Sequence, residues 1–139
     1  MDSTRAFASP PEKAQAILVV DDDNQVLRFL TRMLGSMGYD PIYQASSPTE
    51  ALEVFNQHRS YINLVVSDFV MPHVTGDHLA LRLIHEKPDI KFLFISGNAP
   101  DSLDSAIPLV MGENFLQKPF TLRDMKNTVE KLGQEPATV

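Results

Sequence analysis

Five short apolar runs, separated by segments with helical spacing, constrain the fold of this chain more than any other feature of its sequence. Each run has the length of a strand, and AILVV and INLVV are apolar almost throughout, as strands covered on both faces are. Strands that alternate with helices form a parallel sheet with helices on both faces. We therefore expect an α/β fold. The predicted strands lie at residues 16–20, 41–45, 62–66, 91–95 and 114–117.

Four of the intervening segments have the spacing and end signals of helices. Gly38 follows the first helix at a position where glycine is favoured, Ser47 and Thr121 are predicted to cap the second and the last, and the third ends before Pro88. The predicted inward residues are Val26, Leu30, Met33, Leu34 and Met37, then Ala51, Leu52 and Phe55, then Leu79, Leu83 and Ile84, and finally Leu122, Met125, Val129 and Leu132.

A further helix around residues 101–110 is the weakest of these predictions. Pro108 lies within it, and a proline inside a helix removes one hydrogen bond and clashes with the preceding turn. We therefore expect residues 99–112 to be mobile or only partly helical.

The composition indicates one domain. The chain has 139 residues, of which 43% are hydrophobic, enough for one core and too few for two. We expect a domain at residues 16–132 between flexible segments at 1–15 and 133–139. No apolar run approaches the roughly 18 residues of a membrane span, and the amino terminus lacks the apolar core of a signal peptide, so we expect a cytoplasmic protein. The net charge of −6 and the absence of clustered Lys and Arg argue against direct nucleic-acid binding.

Polar residues follow four of the predicted strands. Ligands of such sheets bind beyond the carboxyl ends of the strands, so these side chains are expected to share one site. Crowded carboxylates repel one another unless a cation lies among them, and an oxygen donor set in a chain without cysteine favours Mg²⁺, with Mn²⁺ able to replace it. Lysine and serine would then contact a phosphoryl group and leave one aspartate as the nucleophile. The residues are Asp21, Asp22, Asp23, Asp68, Ser96 and Lys118.

Together these motifs resemble the receiver domain of response regulators in bacterial two-component systems. The resemblance consists of DD after ILVV, SDFVMP with Gly76 closing the loop, FISG and KPF, and it covers about residues 16–132. It implies a doubly wound five-stranded parallel sheet of the flavodoxin-like, CheY-like type with strand order 2-1-3-4-5.

The resemblance also implies a role for each residue at the acidic end of the site. Asp68 matches the phosphoacceptor, and Asp22 matches the principal metal carboxylate, with Asp21 binding the metal directly or through water. Val70 would offer its backbone carbonyl to the same metal ion.

The remaining residues match those that bind the phosphoryl group and change conformation on phosphorylation in receiver domains. Ser96 matches the switch hydroxyl, Lys118 the lysine that binds phosphate, and Phe115 the aromatic residue whose rotation reports phosphorylation. The bond between Lys118 and Pro119 is expected to be cis. A downstream protein is expected to bind the face around residues 97–132.

The function implied is a phosphorylation-dependent switch that accepts a phosphoryl group from a histidine kinase or a histidine phosphotransfer protein. Receivers catalyse only their own phosphorylation and dephosphorylation, so no turnover of an external substrate is expected. The chain is expected to act either alone or as the receiver part of a larger protein such as a hybrid histidine kinase.

Two alternatives share parts of the pattern. Phosphohydrolases of the haloacid dehalogenase type use an aspartate nucleophile after an apolar strand. They require Asp-x-Asp-x-Thr/Val, whereas Asp21-Asp22-Asp23-Asn24 is followed by Gln25 here, and no acidic pair follows Lys118. A scaffold that is never phosphorylated would not need the complete set of acids, serine and lysine. Each of these residues alone has a simpler explanation as a cap, turn or surface charge, and their joint occurrence at four strand ends favours the switch.

Overall fold

The computed structural model describes residues 16–134. The flexible segment predicted at residues 1–15 and most of the one predicted at 133–139 lie outside the described residues. Gln134 itself is buried, and its carbonyl accepts a hydrogen bond of 3.3 Å from the hydroxyl of Tyr39. The packed part of the chain therefore continues to at least Gln134.

Five strands form one parallel sheet, in the spatial order β2-β1-β3-β6-β7. The two remaining strands, β4 and β5, form a small antiparallel hairpin. With this hairpin set aside, the order along the chain is the predicted 2-1-3-4-5, so the doubly wound topology is confirmed. The strands are β1 (Ala16–Val20), β2 (Ile42–Ala45), β3 (Ile62–Asp68), β4 (Val70–Met71), β5 (Val74–Thr75), β6 (Lys91–Ser96) and β7 (Phe115–Gln117).

Four α-helices cover the sheet: α1 (Asn24–Ser36), α2 (Pro48–Gln57), α3 (Gly76–Glu86) and α4 (Leu122–Lys131). The buried residues of α1 and α4 belong to one hydrophobic cluster, and those of α2 and α3 belong to the other. The apolar strands contribute alternate side chains to both clusters. This is why the runs AILVV and INLVV have almost no polar positions.

The helix ends follow the predicted signals with one change. The Ser47 hydroxyl accepts a 3.1 Å hydrogen bond from the Glu50 N–H, as a cap does. The sequence Ser47-Pro48-Thr49-Glu50 also predicts a reciprocal capping box, but the Glu50 carboxylate accepts its bond from the Ser46 N–H instead of the Ser47 N–H. Thr121 and Asp124 form the complete reciprocal capping box of α4. Gly38, just beyond α1, has a φ of 95°, which explains the glycine there.

The prediction that Leu122 faces inward is wrong. Its side chain is 50% exposed, whereas Met125 and Val129 on the same helix are fully buried. Leu122 is the first residue of α4, and it lies beyond the carboxyl end of β7, where no strand remains to cover it. The helical spacing was correct, but the end of the sheet decides which turn of the helix is buried.

No α-helix forms between β6 and β7, so the helix predicted at residues 101–110 is wrong as well. One 3₁₀ turn, Pro100–Ser102, begins this connection, in agreement with the expectation that residues 99–112 are only partly helical. Residues 97–114, which we call the strap, include this 3₁₀ turn and a second turn at 112–114. Between the two turns the strap has no helix, and alternate residues from 103 to 109 are half-buried while those between are exposed. The half-buried Leu103, Ile107 and Leu109 pack on the cluster that α2 and α3 also cover.

No helix within residues 16–134 has both the length and the apolar character that a membrane crossing requires.

The corrected orientation of α4 predicts unequal costs for two truncations. We expect Met125→Ala to lower the free energy of unfolding by about 2–5 kcal/mol, because it removes a buried side chain. Leu122→Ala should change it by less than about 1 kcal/mol, since half of that side chain is already in water. Urea denaturation of both variants measures the difference, and equal losses would contradict the orientation.

Candidate functional site

Three predicted carboxylates come together at the carboxyl end of the sheet. Val20, the last residue of β1, pairs with Ser67 of β3, so Asp21 and Asp68 leave neighbouring strands side by side. Carboxylate oxygens of Asp21, Asp22 and Asp68 all lie within 4.8 Å of one another. Asp21 is buried, Asp68 is half-buried and Asp22 is exposed, so the cluster opens to solvent on one side.

Asp23, the third acid of the run, does not belong to this cluster. Its carboxylate caps α1 by accepting a 2.8 Å hydrogen bond from the Gln25 N–H, while its own N–H donates to the Asp21 carboxylate at 2.9 Å. Asp23 therefore orients Asp21 through its backbone and begins the helix with its side chain.

The pKa of Asp68 is raised because its surroundings do not fully compensate its negative charge. Burial raises its pKa most, and the negative charge of Asp21 adds to the rise. The positive charge of Lys118 and a hydrogen bond from the Val70 N–H oppose this, and the pKa remains at about 6. Burial also raises the pKa of Asp21, despite its hydrogen bond from Asp23.

The loop after Asp68 is the β4–β5 hairpin, and its geometry explains the Met-Pro pair of the motif. Pro72 and His73 form the two-residue turn, with His73 at a φ of 71°. The Val70 side chain, at the start of the hairpin, is 49% exposed, and its N–H donates to the Asp68 carboxylate. The role of its carbonyl as a metal ligand stays a prediction.

Gly76 closes this loop where no side chain fits. A Cβ there would lie 2.9 Å from the backbone oxygen of Asp68, and the Gly76 N–H donates to the Phe69 carbonyl at 2.6 Å. The start of α3 is thus pressed against the backbone that carries Asp68.

Ser96 and Lys118 lie at the same carboxyl end of the sheet, at the ends of β6 and β7 on the other side of β3 from β1. Asp68 pairs with Ile95 of β6, so Ser96 is the next residue along. The Ser96 side chain is buried, and its oxygen accepts a 3.0 Å hydrogen bond from the Asn98 N–H. The Lys118 N–H donates to the Ser96 carbonyl at 2.8 Å, and the bond from Lys118 to Pro119 is cis, as predicted.

Lys118 acts on the carboxylates through space. Its side chain is exposed, and it forms no direct ion pair with any residue in the range 16–134. Its charge nevertheless lowers the pKa of both Asp21 and Asp68, so the ammonium lies near both carboxylates.

Phe115 is completely buried at the start of β7, in the same cluster as Phe94. The predicted switch aromatic therefore occupies an inward position in this structure. Its rotation on phosphorylation stays a prediction.

One buried acid was missed by the sequence analysis. Asp77, the second residue of α3, is only 2% exposed and lies directly after Gly76. An acid in the first turn of a helix is usually a solvated group that favours the helix dipole, so nothing local distinguished it from Asp23.

The donor set fits a hard divalent cation. Three carboxylates and no nitrogen or sulfur ligand form the cluster. Burial, and after it the neighbouring negative charges, raise the pKa values of two of them, so a cation there would stabilise their charged forms. The Lys118 ammonium supplies a second positive charge beside it. Such an arrangement can hold a phosphoryl group between a metal ion and a lysine, next to a carboxylate nucleophile.

Comparisons with known proteins agree on one family. Residues 17–130 match the family described as response regulator receiver domain. The chain is 38% identical over 116 residues to the sensor kinase CckA of Brucella abortus, a match that covers 84% of this chain and 12% of the kinase. It is 35% identical over 118 residues to the response regulator receiver protein CpdR of the same organism, covering 84% of this chain and 94% of CpdR.

A solved structure shows the same similarity in three dimensions. The receiver domain of the hybrid histidine kinase CckA superposes with a TM-score of 0.68 at 26% identity, covering 84% of this chain and 97% of that domain. The fold and the family match therefore point in the same direction.

The raised pKa of Asp68 predicts how stability depends on pH without metal. Asp68 ionises at its ordinary pKa of 3.8 in the unfolded chain but near pH 6 in the folded protein, so the folded state holds the proton more tightly. Stability should therefore fall as the pH rises through this window. In EDTA, Asp68→Asn should be more stable than the wild type at pH 7, and this advantage should shrink at pH 4. Urea midpoints at both pH values measure it, and an advantage independent of pH would refute the assignment.

Proposed function

The chain belongs to the response regulator receiver domain family, and we propose that it is a phosphorylation-dependent switch in which Asp68 accepts the phosphoryl group. One observation carries the assignment: three carboxylates converge at the end of β1 and β3, with the charge of Lys118 acting on them. Asp68 is the member of the cluster that ends a central strand and lies within reach of both solvent and Lys118.

The proposed donor is a phosphohistidine of a histidine kinase or of a histidine phosphotransfer protein. A carboxylate oxygen of Asp68 attacks phosphorus while the bond from phosphorus to the imidazole nitrogen breaks. The imidazole leaves with the electron pair of that bond, and the product is an aspartyl phosphate.

Each neighbour of Asp68 has a defined part in this proposal. Asp21, Asp22, Asp68 and the Val70 carbonyl would hold Mg²⁺, or Mn²⁺ in its place. When bound, the metal ion neutralises charge on the phosphoryl oxygens.

On the other side of the phosphoryl group, the Lys118 ammonium stabilises the remaining negative charge, and the Ser96 hydroxyl donates a hydrogen bond. Ser96 is free to turn toward the new acceptor oxygens once its bond from the Asn98 N–H is exchanged.

A downstream protein is proposed to bind the face around residues 97–132. Ser96 precedes this face, and Phe115 lies within it. Val110, Met111 and Leu122 are all at least 43% exposed there, and exposed apolar side chains of this size favour a protein partner over bulk water. A groove over Leu116, between Met111 and α4, adds to the concave surface that such a partner would contact.

Two relatives illustrate the two proposed settings of this receiver domain, a stand-alone regulator and part of a larger kinase. CpdR is a receiver of nearly the same length, whereas CckA is a kinase of which this chain matches a small part. In both settings the receiver domain acts as a signalling switch. The family match and the site chemistry support this function over the phosphohydrolase alternative.

The assignment of Asp68 predicts the outcome of a labelling experiment. With acetyl phosphate and Mg²⁺, the wild type should gain one hydroxylamine-labile phosphoryl group, and Asp68→Asn should gain none because it lacks the nucleophile. Asp89→Asn, which changes an exposed acid before β6 at the opposite edge of the sheet, is the matched control and should label normally. Intact-protein mass spectrometry measures the gain. Equal labelling of Asp68→Asn and the wild type would sink the assignment.

The metal site makes a separate prediction. Asp22→Ala removes an anionic ligand, so we expect the Kd for Mg²⁺ to rise at least about tenfold and phosphorylation to slow with it. Asp23→Asn is the control, because asparagine caps a helix as well as aspartate does and the residue lies outside the cluster. Calorimetric titration measures both, and equal Mg²⁺ affinity in the two variants would place the metal elsewhere.

A further inference from the structure

The strap is an unusual connection. Most links between elements of a compact domain span about 4–6 residues, and long links without regular structure tend to be functional. The strap begins directly after Ser96 and ends directly before Phe115, so both of its ends adjoin residues of the proposed switch. Its contacts with the rest of the protein therefore decide how a change at Ser96 spreads.

Asp77 holds the middle of the strap. Its carboxylate accepts a 2.8 Å hydrogen bond from the Ala106 N–H through one oxygen and a hydrogen bond from the Thr75 hydroxyl through the other. Within residues 16–134, this is the one side-chain hydrogen bond that joins residues 99–113 to a residue outside the strap. Burial favours the neutral acid, but the bonds from Ala106 and Thr75 and the nearby His78 outweigh it and lower the pKa of Asp77.

The other side-chain hydrogen bonds of residues 99–113 stay within the strap. The Asn114 side chain accepts from the Val110 N–H and donates to the Pro108 carbonyl, each at 2.8 Å. Ser105 bonds only to Ile107 within the strap. These contacts shape the strap, but only its half-buried apolar side chains and Asp77 fasten its middle to the domain.

Asp77 is also next to the phosphoacceptor loop. Its neighbour Gly76 donates to the Phe69 carbonyl at 2.6 Å and leaves no room for a Cβ beside the Asp68 backbone oxygen. A shift of the Asp68 backbone must therefore move the start of α3, and with it the Asp77 carboxylate. The strap begins at residue 97, directly after Ser96. The hydrogen bond between Asp77 and Ala106 therefore joins two segments, the start of α3 and the strap, that both adjoin the site.

We propose that Asp77 is a positioning residue that latches the strap to the start of α3 and that phosphorylation of Asp68 acts on the strap by weakening this latch. The proposal rests on the proposed function of Asp68. The hydrogen bond between the Ala106 N–H and Asp77 is already present without a phosphoryl group. Phosphorylation can therefore act through this hydrogen bond only by weakening or breaking it. Release then frees Leu103, Ile107 and Leu109 to leave the core, which would expose new apolar surface on the output face.

Hydrogen exchange at the Ala106 amide tests the latch, with beryllofluoride and Mg²⁺ standing in for the phosphoryl group. In the wild type, beryllofluoride should speed this exchange. Asp77→Ala should speed it about tenfold or more without any ligand, because a hydrogen bond to a charged group is lost. Beryllofluoride should then add no further increase. A purely structural role would instead leave the same fold-change on adding beryllofluoride in both proteins.

Two variants complete the test. Asp77→Asn keeps an acceptor oxygen for the Ala106 N–H, so its exchange should lie between the wild type and Asp77→Ala and should still respond to beryllofluoride; it also carries the test if Asp77→Ala does not fold. Asp104→Asn removes an exposed charge from the strap itself and should behave as the wild type.

Fluorine NMR of bound beryllofluoride separates the two levels of the proposal. Bound signal in the wild type with unchanged exchange at Ala106, or an equal response in Asp77→Ala, overturns the latch alone. No Mg²⁺-dependent bound signal in the wild type overturns the proposed function of Asp68, and the latch with it.

Discussion

The crowding of three carboxylates within 4.8 Å of one another, together with the burial of two of them, is the constraint on which the rest of this structure depends. The sheet imposes the crowding, because Val20 of β1 pairs with Ser67 of the parallel neighbour β3, and an aspartate follows each of these two residues. Two backbone N–H groups, from Asp23 and Val70, and the charge of Lys118 offset part of the cost. Burial first, and the neighbouring negative charges after it, still raise the pKa values of Asp21 and Asp68, and a divalent cation bound there would offset both effects.

The surrounding fold keeps this crowded edge rigid on one side and adjustable on the other. On the rigid side, Gly76 lets α3 start against the backbone of Asp68 with no intervening side chain. On the adjustable side, β6 and β7 are joined by the strap, where irregular chain takes the place of an α-helix. Irregular chain fastened by a few side chains can shift at a lower cost than a packed helix, which is why the proposed output begins in residues 97–114.

The sequence predicted the strands, and the gathering of Asp21, Asp22 and Asp68 at their ends, because both depend on local composition. A buried parallel strand must be apolar, and the residues after it must be the polar ones, so the strand ends were located within one or two residues. The strap was predicted less well. The spacing from Leu103 to Ile107 fits one face of a helix, so Pro108 was the one local signal against a helix there.

Other differences could not have been resolved from local sequence at all. Asp23 and Asp77 both lie at the start of a helix, yet one caps its helix in solvent and the other is buried beneath the strap. Leu122 and Met125 share a helical face, yet only Met125 has the sheet beneath it. In each pair the distinction depends on where the sheet ends and on the path of a distant segment.

The central claim is that a divalent cation replaces a proton in the carboxylate cluster, and the number of protons released on Mg²⁺ binding tests it most directly. Calorimetric titration at pH 6 in two buffers of different ionisation enthalpy measures that number. Because the pKa of Asp68 is about 6 without metal, the account predicts the release of about half a proton per Mg²⁺ bound in the wild type and much less in Asp68→Asn. Mg²⁺ binding to the wild type without proton release at this pH would contradict the account.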